Sequence, residues 1–275
     1  MSKQPDLPVI SYVTEGESAL TRAIVATVER LTGQRRLQAL YDSLAHLELS
    51  GVEFWGRALQ ALEIGIDVRQ GSFACLRGAG PTVVVANHPF GVVDGLALCH
   101  LTAQARPDFK VILHKVLCQD RRVKDHVLPI DFDPGREAIK NNVRTKRAAQ
   151  AALEAGGTVV IFPAGGVANA EPFKRTAFDH DWKPLTSRLI ESSKASVLPV
   201  YFHGQNSMLF QLSSWINPAL RTGLLLNEVR NKIGKDVRLE VGKLIPYDEI
   251  ARLESRDHTS DYLREAVYRL GPGYA

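Results

Sequence analysis

Cysteine is scarce in this sequence. Three thiols in 275 residues, Cys75, Cys99 and Cys118, are odd in number and have neither metal-ligand nor redox spacing. No disulfide framework is expected, and the three read as reduced core thiols of a cytoplasmic protein. Long apolar runs are missing too: no segment approaches the roughly 20 apolar residues that span a bilayer. The opening MSKQPDLPVISYV lacks the uninterrupted apolar core of a signal peptide. A soluble or peripheral chain is the expectation. Neither sign of charge dominates, since 34 Lys and Arg against 30 Asp and Glu leave +4. That balance suits an acidic partner or an anionic surface without selecting one. There is no GxGxxG, no GxxxxGK[ST], no GxSxG and no His/Cys/Glu metal cluster. Nucleotide, metal and serine-hydrolase readings lose their usual support, and neither a metal nor a cofactor is expected. Nucleic acid is not among the expected partners.

What is present divides in two. Leu20, Ile24, Val28 and Leu31 recur at helical spacing, as do Leu37, Leu40, Tyr41, Leu44 and Leu47, and then Phe54, Trp55, Leu59 and Leu62. Residues 1–71 read as an N-terminal helical region. From residue 72 to 275, apolar runs alternate with amphipathic stretches. TVVVA, FKVILH, VLPIDF, TVVIF, SVLPVYF and VRLEVG are expected strands, with helices near 91–104, 136–155, 182–194 and 206–216 and a closing helix in DYLREAVYRL. Such alternation predicts an α/β domain with a mostly parallel sheet flanked by helices.

Within it, VVVANHPFGVVDGLAL at 83–98 sets an imidazole and a carboxylate against a buried strand. A histidine beside an apolar run is more often packed than catalytic, and local geometry is what argues otherwise here. Pro89 keeps His88 out of helical backbone space and Gly91 permits a sharp turn, so the strand ends at His88. Asp94 falls in the first turns of the next helix, where side chains lean back toward the strand end. A histidine oriented by a carboxylate makes a hydroxyl nucleophilic, whereas a buried, unpaired Asp94 would be costly. Ligands in parallel sheets bind at the carboxyl ends of strands. Asn87 sits at one such end, Pro163, Gly165 and Gly166 follow TVVIF, and His203, Gln205 and Asn206 follow SVLPVYF. Glycines in the second group are placed to offer amides to an oxyanion.

Asn87-His88 with Asp94, FPAGG at 162–166 and VLPVYFHG at 197–204 together resemble the ordered blocks of the glycerolipid acyltransferase superfamily, over about residues 72–247. ANHPFGVVDG is also similar to the bacterial hemolysin-like or ornithine-lipid branch. The resemblance implies a glycerol-3-phosphate-acyltransferase-like α/β fold, a thioester donor and a lysolipid hydroxyl as acceptor, with His88 as general base and Asp94 its orienting partner. HPFGVVD has five residues between His and Asp where the common form has four, which calls for a bulge at Gly91. Ala164 and Gly166 stand where many members have acids. That departure points away from lysophosphatidate, and toward a lyso-aminolipid such as a lyso-ornithine-type lipid, with Trp182, Lys183, Gln205 and Asn206 as acceptor-side candidates.

The donor is expected to be acyl carrier protein or coenzyme A. Arg121, Arg122 and Lys124, with Arg144, Lys146 and Arg147, are candidate docking groups for it, though a solvated charged face explains them as well. An exposed Phe54-Trp55 edge near Arg57 is expected to touch a bilayer, placing the protein on the inner face of the cytoplasmic membrane. The alternatives are a lysophosphatidate acyltransferase, a non-catalytic acyl-lipid-binding protein, and a hydrolase using the same pair on water.

Overall fold

The structure is a computed structural model that describes residues 8–272 apart from 15, 134, 171–175 and 254. Helices α1 (Ala19–Thr32), α2 (Gln34–Ser43) and α3 (Gly51–Ala61) come first, followed by strand β1 (Ile66–Gln70). Alternation then sets in: β2 (Thr82–Ala86), α4 (Val92–Ala105), β3 (Lys110–His114), β4 (Val127–Ile130), α5 (Arg136–Glu154) and β5 (Thr158–Ile161). A short antiparallel pair, β6 (Asn169–Ala170) and β7 (Ala177–Phe178), precedes α6 (Leu185–Ser193) and β8 (Ser196–Phe202). The chain closes with α7 (Met208–Ile216), α8 (Pro218–Lys232), β9 (Val237–Val241), α9 (Tyr247–Ile250) and α10 (Arg256–Tyr268).

Seven strands form one sheet in the order β1-β9-β8-β2-β5-β3-β4. The block from β8 to β4 is parallel, while β9 runs antiparallel to β8 and carries β1 parallel at its far edge. Every residue of β2 is buried, because helices cover both faces of a parallel sheet. Alternate side chains then serve two cores. Val84 and Ala86 join α3, α4 and α8 on one face; Val83 and Val85 join α5, α6 and α10 on the other.

The first core also takes in Leu37, Leu44, Phe54, Trp55 and Leu59. Phe54 and Trp55 are 7% and 3% exposed, so the expected membrane edge does not exist. They pack edge to face, and Trp55 meets Phe109 of the α/β region. On α1 the buried apolar position is Val25, and Leu20 and Leu31 of the expected stripe are 71% and 79% exposed. The sheet begins with β1 at residue 66, ahead of the expected start at 72. Its sequence IDVRQ lacks an apolar run because an edge strand is half solvated. Of the three thiols only Cys99 lies fully in the core; Cys75 is exposed and Cys118 intermediate, and all are free.

Candidate active site

Asn87 and His88 follow the last residue of β2. Asn87 does not face a substrate: its amide donates to the Phe202 carbonyl at 3.0 Å and accepts from the Phe202 N–H at 2.7 Å. Beyond the paired residues Ala86 and Val200, it thus clamps β2 to β8. The chain turns at Gly91, whose φ of +83° a side chain would strain. This absorbs the extra residue between His88 and Asp94. In the first turn of α4, Asp94 then leans back so that its Oδ2 lies 3.1 Å from His88 Nδ1. The same oxygen accepts from the Phe90 N–H at 2.7 Å and the Gly91 N–H at 3.0 Å. Convergence of these groups on one oxygen of a fully buried carboxylate fixes the imidazole, which also stacks on Phe162 with centroids 4.0 Å apart. With Nδ1 taken, Nε2 is the nitrogen left for a substrate proton.

A second carboxylate holds the backbone of the same residue. Asp179 Oδ1 accepts from the His88 N–H at 3.0 Å, and the Ala168 N–H donates to the His88 carbonyl at 2.8 Å. Trp182 donates its indole N–H to Asp179 Oδ2 at 3.0 Å, and the Asp179 N–H donates to the Tyr268 hydroxyl at 2.8 Å. Burial pushes the Asp179 carboxyl up to about 6, against the lowering pull of the hydrogen bonds from His88 and Trp182. Trp182 is therefore a buried support of the strand end, where sequence reasoning had placed an acceptor contact.

The imidazole opens on a cavity of about 730 Å³. Gly91, Pro163, Gly165, Gly166 and Lys183 line it with His88. The rest of its wall is largely apolar and includes Leu37, Leu44, Phe54, Trp55, Leu96 and Leu226. The N-terminal helices thus close a chamber over the sheet. Gly165 turns at φ +69° and spends its N–H on the Phe162 carbonyl at 3.0 Å, so it cannot serve an oxyanion. The next residue, Gly166, borders open space: a Cβ there would meet nothing within 4 Å.

Other candidates lie elsewhere. Gln205 Oε1 accepts from the Ala177 N–H at 2.8 Å, fastening the exit of β8 to β7. Asn206 is 2% exposed and off the cavity wall, with neither amide atom hydrogen-bonded among the described residues. His203 bonds Glu240 of β9 at 3.0 Å. Arg122 is no docking group. Its guanidinium grips Asp120 at 2.7 Å and the Leu44 carbonyl at 2.7 Å and lies 4.9 Å over the Phe54 ring, tying the N-terminal helices down. Arg121, Lys124, Arg144 and Arg147 are exposed, and Lys146 is intermediate. Sequence reasoning missed Asp179 and also Arg221, a cavity-lining residue in the first turn of α8. The one local signal for that helix start is Asn217-Pro218, a cap residue followed by proline.

Comparison with known proteins gives the chain relatives and a family. A lyso-glycine lipid O-acyltransferase of Bacteroides thetaiotaomicron is 23% identical over 227 residues, 80% of each chain. One from Phocaeicola vulgatus is 22% identical over 260 residues, 91% of this chain and 88% of that one. The crystal structure of the 1-acyl-sn-glycerophosphate (LPA) acyltransferase PlsC of Thermotoga maritima shares the fold with a TM-score of 0.50 at 19% identity, covering 90% of this chain and 85% of that one. A family model described as acyltransferase matches residues 41–272, and the chain, an enzyme by that match, belongs to the acyltransferase family.

Proposed function

We propose that this enzyme moves a fatty acyl group from a thioester, carried on acyl carrier protein or coenzyme A, to the hydroxyl of a lysolipid with an amino-acid headgroup. The observation that carries the reading is the His88–Asp94 pair opening on an apolar chamber of about 730 Å³. His88 Nε2 takes the acceptor's hydroxyl proton as that oxygen attacks the thioester carbonyl. The tetrahedral oxyanion faces the Gly166 amide. Collapse breaks the carbon–sulfur bond, and the imidazolium returns its proton to the departing thiolate. Asp94 fixes the tautomer and stabilises the imidazolium between the two transfers. The apolar chamber suits an acyl chain.

Two things support an aminolipid acceptor: the names of the relatives, and the presence of Ala164 and Gly166 where acids would otherwise stand. The test is purified enzyme with acyl thioesters and a panel of lysolipids, product masses being read out. A hydroxyl-bearing acyl-amino acid should be acylated faster than lysophosphatidate. A clear kinetic preference for lysophosphatidate would assign the enzyme to phospholipid synthesis, and release of free acid without an acceptor would make it a hydrolase.

Such an acceptor resides in a bilayer, and no described helix is long and apolar enough to cross one. Peripheral docking through α7 fits instead. Met208, Leu209, Leu212, Trp215 and Ile216 form one exposed stripe at helical spacing, directly after the strand that flanks β2. The only acid between Ser207 and Lys232 is Glu228, 2% exposed and bonded to Ser207. Over residues 18–41 the only acid is Glu29, also buried, whereas Arg22, Arg30, Arg35 and Arg36 are exposed. Apolar and cationic side chains without exposed acids match an anionic lipid surface. Replacing Leu209, Leu212 and Ile216 by serine should cut sedimentation with phosphatidylglycerol vesicles by about tenfold or more. Circular dichroism should not change, since these side chains support no core. Undiminished vesicle binding by the triple variant would exclude α7 as the docking face.

A further inference from the structure

Arg221 is a cation in an unusual place. It lies on the cavity wall, burial pulls its guanidinium below the ordinary arginine range, and no carboxylate pairs with it among the described residues. Its Nη2 donates to the Val167 carbonyl, its guanidinium lies 5.2 Å over the Phe210 ring, and its Nε is buried without an acceptor among the described residues. A sequestered charge with an unspent donor is costly unless something with negative charge visits it.

Lys183 approaches the same turn at Gly165. Its Nζ is so close to Gly165 that a Cβ there would come within 3.1 Å of it. The ammonium lies 4.9 Å over the Phe132 ring and pairs with no carboxylate among the described residues. His180 feels the repulsion of both Arg221 and Lys183, after burial, and the attraction of the exposed Asp181, so the two cations belong to one electrostatic patch. Val167, held by Arg221, precedes Ala168, whose N–H donates to the His88 carbonyl. The patch therefore borders the reacting imidazole through a single stretch of backbone. Other charges near the chamber are already matched, Lys115 by Asp131 and Asp133, and Asp120 by Arg122. Glu17 also lines the chamber; its Oε2 is buried without a hydrogen-bond partner among the described residues, and the imidazole it acts on is that of His114.

We infer that Arg221 and Lys183 form the seat for the anionic headgroup of the acceptor lipid, a carboxylate or a phosphate held beside the 163–167 turn while the acceptor's hydroxyl faces His88. The inference rests on the acyl-transfer reading. It adds that the acceptor must carry negative charge, and that the cations grip the acceptor and leave the phosphate of the donor's pantetheine arm alone.

The test compares a hydroxyl-bearing N-acylglycine with its methyl ester, which has the same chain and hydroxyl without the charge. The wild-type enzyme should favour the free acid. Lys183→Gln and Arg221→Gln should each raise KM for the free acid by about 10- to 100-fold, the range of a lost hydrogen bond to a charged group. KM for the ester and for the donor should stay within about twofold. Lys183 is exposed, so its variant tests the seat even if Arg221→Gln folds poorly, and Arg221→Lys should recover part of the preference. A raised donor KM would assign the cations to the donor's phosphate. Equal losses on acid and ester would reduce them to supports of the fold, and a wild-type enzyme indifferent to the ester would end the proposal. Equilibrium binding of the N-acylglycine needs no turnover. Binding that weakens in Lys183→Gln would uphold the seat even if acyl transfer itself failed, and binding indifferent to that change would refute it.

Discussion

His88→Ala is expected to lower acyl transfer by about 100-fold or more, with the protein still folded. The imidazole sits at the end of β2 with 17% of its side chain exposed, so removing it leaves the strand pairing and the bonds of the 88 backbone to Asp179 and Ala168 in place. What disappears is the imidazole that Asp94 orients beside the chamber. Thermal unfolding and circular dichroism should remain close to wild type, and the loss should appear in kcat. KM for the donor should change little, because the chamber wall is otherwise intact. A folded His88→Ala enzyme turning over near the wild-type rate would mean that another group takes the proton.

Asp94→Asn should also cost about 100-fold or more, for a different reason. One oxygen of Asp94 accepts from Phe90, Gly91 and His88, while the other, Oδ1, has no partner among the described residues. An asparagine can keep its oxygen at the crowded position and turn its amide toward the empty one, which preserves the Gly91 turn. The negative charge that stabilises the imidazolium is gone, so turnover falls while the fold persists. Asp94→Ala should do worse on both counts, because the Phe90 and Gly91 amides lose their acceptor in a buried turn. If Asp94→Asn kept near wild-type activity, the carboxylate would be a support of the turn and nothing more.

The parallel block was legible because its strands are buried on both faces and spell unbroken apolar runs; SVLPVYF matches β8 residue for residue. Asp94 behind His88 was legible for a similarly local reason, since the six-residue step from strand end to helix turn brings the two side chains together. Elsewhere the signal was lost to tertiary context. Helix α8 is covered by α1 and α7, so most of one flank after another is buried and the contrast that marks a surface helix fades. With α8 unseen, Arg221 went unseen. Phe54 and Trp55 read equally well as a membrane edge or a core edge until α3 had a partner, and that partner, α4, lies in the α/β part of the chain. Asp179 gave no signal at all, because its relation to His88 spans 91 residues.

The carboxyl of Asp179 has a bearing on the solution behaviour of the whole molecule. Its ordinary value is 3.8, and burial lifts it to about 6. Between those limits the folded chain holds a proton that the unfolded chain has released, so folding is linked to proton uptake. The contribution is fully present below pH 3.8 and is lost as pH rises through about 6. Above that point the fold carries a buried negative charge whose stabilising contacts are the His88 amide and the Trp182 indole. At neutral pH the strand end that presents His88 is thus held by a buried carboxylate, and mild acidification relieves the buried charge while weakening that carboxylate's grip on the His88 and Trp182 N–H groups.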